Sequence, residues 1–253
     1  MDEEIKTANP LGYQKISKLL RSLAIPAIIA NLVNALYNVV DQIFIGQGIG
    51  YLGNAATNIA FPITTICLAI GLTLGIGGAS NFNLELGKRN PEKSKHTAGT
   101  AASTLIIIGI ILCISIRIFL EPLMISFGAT DKILQYAMEY TGITSYGIPF
   151  LLFSIGVNPL VRADGNARYS MMAIIVGAVL NTILDPLFMF VFHWGIAGAA
   201  WATVISQVVS ASLLLIYFPK FKSVKFSLND FIPQVHYLKR IISLGFASFI
   251  YQF

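Results

Sequence analysis

Between Arg21 and Glu85 the sequence carries one charged residue, Asp41. A membrane-crossing helix needs about 20 predominantly apolar residues, so this interval is long enough for two. GQGIGYLG, from Gly46 to Gly53, supplies the turn between them. The same criterion predicts spans at residues 19–45, 55–81, 97–116, 134–161, 169–192 and 196–218, and a seventh apolar run opens near Ile241. Only 11% of the 253 residues are charged and 55% are hydrophobic. A soluble domain carries roughly 25% charged residues, so this chain has too little polar surface to cover a globule in water. The lipid bilayer is the solvent that fits.

The basic residues give the orientation. Of the seventeen Lys and Arg, fifteen fall before the first span or in the loops after the second, fourth and sixth, and only Arg117 and Lys132 fall on the other side. The positive-inside rule makes the larger group cytoplasmic. The chain is therefore expected in the cell (inner or plasma) membrane, multi-pass, with its N-terminus inside. This asymmetry accounts for the net charge of +5 without nucleic acid as a partner. The opening MDEEIKTANPLGYQK is acidic and then polar, unlike a cleavable signal peptide. Cys67 and Cys113 sit inside apolar runs and read as small buried side chains. His96, His193 and His236 lie at loop edges or in loops without metal-ligand spacing.

Within the spans the polar residues are one-sided. At about 100° per residue, Asn31, Asn34, Asn38 and Asp41 fall within an arc of about 80° on the first helix, and Gln42 widens it slightly. Hydrocarbon penalises such a stripe, so it faces other helices or water. The plainer alternative ends this helix near Val40 and leaves Asp41 at the interface. In the fifth span, NTILDP sets Asn181 four residues before Asp185, on one face. Pro186 frees the carbonyl of Thr182; the plainer alternative is a packed kink, which needs the proline but not the acid. Thr203, Gln207 and Ser210 form a third stripe. At 1.5 Å per residue, Asp41 lies roughly 33 Å from the start of its span and Asp185 roughly 24 Å, while Thr203 is roughly 10 Å below its outer end. All three belong to the outer half of the membrane. Two carboxylates desolvated side by side repel, so a proton or a metal cation is their natural occupant.

The segments NALYNVVDQIFIG, AATNIAFPI, NPLVRADGNARYSMMAIIVGAVLNTILDPLFMF and GIAGAAWATVISQ, in this order and spacing, resemble the multidrug and toxic compound extrusion (MATE) transporters, especially the branch related to the DNA-damage-inducible protein F. The resemblance implies an all-α membrane protein: a six-transmembrane-helix lobe, half of a twelve-helix fold, plus the start of a seventh helix. Residues 1–235 would be the N-terminal lobe and 236–253 the truncated start of the second. A weak repeat, Ser22 to Leu32 against Ser243 to Phe253, agrees with parallel lobes. The implied activity is H⁺- or Na⁺-coupled export of drugs or other small, often cationic, compounds by alternating access. By resemblance, Asp41, Asn158, Asn181, Asp185 and Thr203 form the cation-coupling network. If the ion is Na⁺, its ligands are Asp41, Asn181, Asp185 and Thr203. Tyr37, Asn34, Asn38 and Gln207 are candidates for the substrate cavity, and Pro26 for the hinge of the first helix. No cofactor beyond the coupling ion is implied, and the expected partners are the bilayer, a small-molecule substrate and the second six-helix lobe.

Three other readings compete. An intramembrane aspartyl protease would also place two acids on different helices, but its Gly-x-Gly-Asp motif is absent, since Thr-Ile-Leu precedes Asp185. The chain is accordingly not expected to be an enzyme. A lipid-linked oligosaccharide flippase of the same superfamily would line its cavity with several basic residues, whereas the predicted span interiors hold no Lys or Arg. A non-transporting membrane fragment is the third.

Overall fold

Hydrocarbon offers no partner to a backbone N–H or C=O, so a lipid-embedded chain closes its hydrogen bonds within helices. The computed structural model describes residues 15–252. They form α1 (Ile16–Gly48), α2 (Tyr51–Gly87), α3 (Pro91–Ile118), the short α4 (Leu120–Ser126), α5 (Asp131–Thr144), α6 (Ile148–Ala163), α7 (Ala167–Pro186), α8 (Gly195–Tyr217) and α9 (Val235–Ile250), with no strand among the described residues. Six segments are long and apolar enough to cross a membrane; α5 and α6 together make the fourth, and the fifth runs from Ala167 to Val191. The chain is an all-α, multi-pass membrane lobe of six spans followed by one further helix. The acidic opening, residues 1–14, lies outside the described residues.

The helices run beyond their predicted ends because polar residues cap or continue them. Asn90 accepts a hydrogen bond from the Lys93 amide at 3.3 Å, and Pro91 follows as the first residue of α3. Asn166 caps α7 by accepting from the Tyr169 amide at 3.2 Å. Gly165 at φ 85° makes the preceding turn. The turn between the first two spans is confined to Ile49 and Gly50, whose φ of 84° only glycine adopts at little cost. α1 therefore continues through Asp41 to Gly48, against the reading that ends it near Val40.

The fourth span departs from the continuous helix predicted for it. It breaks at a 3₁₀ turn, Ser145–Gly147. Pro149 brings no amide hydrogen and disfavours helix just before it, while the Ser145 hydroxyl donates to the Gly142 carbonyl at 2.7 Å. In the fifth span, Pro186 is followed by a π-helical turn, Leu187–Val191, closed by the Phe192 amide donating to the Leu187 carbonyl at 3.0 Å. The short α4 is also absent from the sequence-level prediction.

α6 is the central post, packed on α2, α3 and α8. It meets α2 so closely that a Cβ on Gly75 would lie 2.5 Å from the Gly156 carbonyl oxygen, an approach only small residues permit. α1 is the opposite case. Only 11% of its most apolar stretch is buried, against 56% for the fourth span, so α1 sits at the periphery, mainly against α7.

Buried acids knit the basic end of the lobe. Asp164, fully buried after α6, accepts hydrogen bonds from the Tyr217 hydroxyl at 2.8 Å and from the amides of Lys222 and Ser223, each at 2.9 Å. Asp230 closes a capping box with Ser227 and lies 3.2 Å from His96 Nδ1. Glu85 pairs with Lys88 at 2.9 Å and with Arg240 of α9 at 3.5 Å. Both cysteines are free, Cys67 buried and Cys113 half-buried.

Asp164→Ala strands a buried hydroxyl and two part-buried amides. It should lower unfolding stability by roughly 3 kcal/mol, read as a lower melting temperature in detergent, and Asp164→Asn by less.

Candidate cation and substrate site

The acids of α1 and α7 meet inside the lobe. Asp41 is buried at 7% exposure and Asp185 at 0%, and their carboxyls lie against each other. α7 brings Asn181 one turn below Asp185. Its amide donates to Asp185 Oδ1 at 3.3 Å and toward Thr203 Oγ1 of α8 at 3.4 Å. Gln42 stands beside Asp41 and accepts from the Thr57 hydroxyl at 3.2 Å. Four candidate ion ligands, Asp41, Asn181, Asp185 and Thr203, are thus brought together from three helices.

The cluster has spare acceptors. Asp41 Oδ1, Asp185 Oδ2 and Asn181 Oδ1 are buried without a hydrogen-bond partner. Burying an unsatisfied oxygen is costly, and one converging with others is what a hard cation or a shared proton takes up. Among the described residues no group of three or more His, Cys, Asp and Glu converges. The donor set is two carboxylates completed by neutral amide and hydroxyl oxygens, all of them oxygen donors.

Below the acids lies a cavity of about 400 Å³ between α1, α2, α6, α7 and α8. Asn34 and Tyr37 line it from α1, Asn181 from α7, and Thr203 and Gln207 from α8. Asn38 does not. It borders a separate depression with Gln42 and Asn54, and its amide donates to the Asn34 carbonyl at 2.7 Å. The helical arc overstated the stripe, because an arc fixes a direction around one helix but not which neighbour stands there.

Asn158 is the second correction. It is buried at the end of the cavity away from the acids, where its amide donates to the Ser170 carbonyl at 3.2 Å and its oxygen accepts from the Ser170 hydroxyl. Ser170 lies fifteen residues before Asp185 on α7, roughly 22 Å along the axis. Asn158 therefore cannot share an ion with Asp185. The third concerns charge: Arg162, counted from sequence as a loop residue, lies in the last turn of α6 and lines the cavity.

Sequence reasoning missed Tyr140. It projects from α5 against Thr203, Tyr37 and the two acids. Its only sequence signal is a tyrosine two turns before Gly147, in a half-span where tyrosine is unremarkable. Pro26, the proposed hinge, is buried inside a helix that stays continuous through it.

The described residues thus form a helical membrane lobe with an internal cavity and a pair of buried acids beside it. The MatE family profile matches residues 26–187, more than half of the chain, and the chain belongs to the MatE family. Multidrug export protein MepA of Staphylococcus haemolyticus is 25% identical over 240 residues, which are 93% of this chain and 52% of MepA. A MOP superfamily transporter from Pyrococcus furiosus superposes with a TM-score of 0.85 at 31% identity, over 93% of this chain and 52% of its own. A crystal structure of MATE in the bent conformation gives 0.85 at 30% identity, over 93% and 53%. The chain spans about half the length of these relatives and corresponds to the N-terminal lobe of a MATE transporter.

Asn158→Ala removes the contact with Ser170 and should cost roughly 1–2 kcal/mol of stability. Stabilisation of the protein by added Na⁺, followed by thermal melting, should match that of the parent.

Proposed function

We propose that this lobe belongs to a cation-coupled exporter of small organic compounds. The observation that carries the proposal is the pair of buried acids standing behind Asn181 and Thr203, which line one end of an internal cavity. A cation, H⁺ or Na⁺, enters between Asp41 and Asp185, with Asn181 and Thr203 completing its oxygen shell and Tyr140 walling the site from α5. Cargo occupies the cavity beneath, against Asn34, Tyr37 and Gln207. The name of MepA supports multidrug cargo, and the acids favour compounds bearing a positive charge. Arrival of the ion draws α1 toward α7 and narrows the space below, so ion and cargo compete. The coupling is reciprocal: each weakens the other by the same factor.

Alternating access needs a second lobe to rock against. The helix from Val235 opens that lobe, residues 1–235 being the first; half-length coverage of the relatives supports this division. α1 is the element best placed to move, being sparsely packed and carrying both Asp41 and Pro26. Proline removes one backbone hydrogen bond and lets a helix bend there. That one solved relative is described in a bent conformation supports the same role for Pro26. The N-terminus lies in the cytoplasm of a cell-membrane protein.

In cells expressing the full-length protein, Asp41→Asn and Asp185→Asn should each abolish gradient-driven efflux of a cationic dye, while Thr203→Ala, losing one neutral ligand, should only slow it. Efflux at the parental rate from both acid variants would remove the site from the coupling. For orientation, Lys93→Cys should be labelled in intact cells by a membrane-permeant maleimide and not by an impermeant one; the reverse pattern would invert the topology.

A further inference from the structure

The acids stand behind Asn181 and Thr203 at the outer end of the cavity. Arg162 is the charge at its inner end. A guanidinium stays protonated at any physiological pH, so this end carries a fixed positive charge. Among the described residues it has no carboxylate within ion-pairing distance and no side-chain hydrogen bond. The nearest acid in sequence, Asp164, is two residues on and about 200° round the helix. Asp164 already accepts from Tyr217, Lys222 and Ser223. The other buried acids of this end are likewise satisfied, Glu85 by Lys88 and Arg240, and Asp230 by the Ser227 amide and hydroxyl of its own cap. Asn158, one turn above Arg162 on the same face, is saturated by Ser170. The guanidinium is left facing the cavity with its donors uncommitted.

We propose that Arg162 is an oxyanion-binding residue of the cargo cavity, selecting compounds that carry a carboxylate on an otherwise apolar or cationic body. A guanidinium binds a carboxylate through two parallel charge-assisted hydrogen bonds. Ser154, whose buried hydroxyl has no hydrogen-bond partner among the described residues, adds a donor to the cavity wall without adding charge. The cavity thus has opposite polarity at its two ends, and a carboxylate at Arg162 orients cargo with its other end toward Asn181 and Thr203. This inference rests on the reading that the cavity receives cargo. The same guanidinium chemistry would serve a lipid phosphate, and the experiment separates the two sources.

The full-length protein, in nanodiscs of zwitterionic lipid, is titrated with a rhodamine bearing a free benzoate and with the same rhodamine as its methyl ester. Binding is read by fluorescence polarisation. The parent should bind the free acid roughly tenfold more tightly than the ester, the value of one charge-assisted contact. Arg162→Gln should bring that ratio to about one by weakening the acid alone, and Arg162→Lys should keep part of it. Equal binding of acid and ester by the parent, or a preference that survives Arg162→Gln in protein with parental melting behaviour, overturns the proposal. So does an Arg162→Gln variant that keeps the acid-to-ester ratio and loses only its response to added anionic lipid, since Arg162 then serves lipid phosphate. If neither dye binds the parent, the cargo reading of the cavity falls, and this inference with it.

Discussion

Two aspartates held against each other out of reach of water are the arrangement around which this lobe is organised. Each carboxylate would prefer water, and each raises the cost of the other. The fold meets that cost by placing them where neutral groups converge: the amide of Asn181 between Asp185 and Thr203, and Gln42 beside Asp41. Convergence requires α7 and α8 to be held in fixed register. They are, through the Ser210 hydroxyl donating to the Ala173 carbonyl at 3.1 Å and the Tyr169 hydroxyl donating to the Leu213 carbonyl at 2.7 Å. α1 has fewer such ties, so one acid stands on a fixed frame and the other on a loosely held helix.

The interruptions of regular helix follow the same logic. The lipid phase tolerates irregular backbone only where protein or a wet cavity covers it. The 3₁₀ turn at Ser145–Gly147 is mostly covered, Ser145 and Gly147 being buried, and a Cβ on Gly147 would collide with Gln207. The π-turn after Pro186 packs Phe188 against Trp194 and brings Met189 onto Ile45 of α1. Both breaks therefore lie beside the helices that carry the polar cluster.

Much of this was legible in the sequence because charge is so rare in it. Asp41 stands out in an uncharged interval, Asp185 follows Asn181 by one turn and precedes a proline, and Thr203 begins a polar stripe at matching depth. What escaped is what periodicity cannot see. Asn38 lies in the right arc but borders a different depression. The resemblance placed Asn158 with the acids, whereas its bond to Ser170 fixes it roughly 22 Å away along α7. Arg162 falls one residue beyond a predicted span and looked like a loop charge. Tyr140 hides in a half-span whose break at Ser145 has no strong signal before Pro149. Asp164 and Asp230 are buried by partners some sixty and a hundred and thirty residues away, Lys222, Ser223 and His96, contacts that no local pattern encodes.

The Asp164 clamp has a mechanical consequence. By gripping both the hydroxyl of Tyr217 and the amides just beyond α8, Asp164, which sits between α6 and α7, fastens the basic ends of α6, α7 and α8 to a single point. That clamp ties the helices it joins into one block, whereas among the described residues the side-chain hydrogen bond reaching α1 from another helix is that of Thr57 to Gln42. Amide hydrogen exchange along the chain would then fall into two classes, fast in the first span and uniformly slow across the clamped block. The lobe is divided into a stiff chassis and one compliant member.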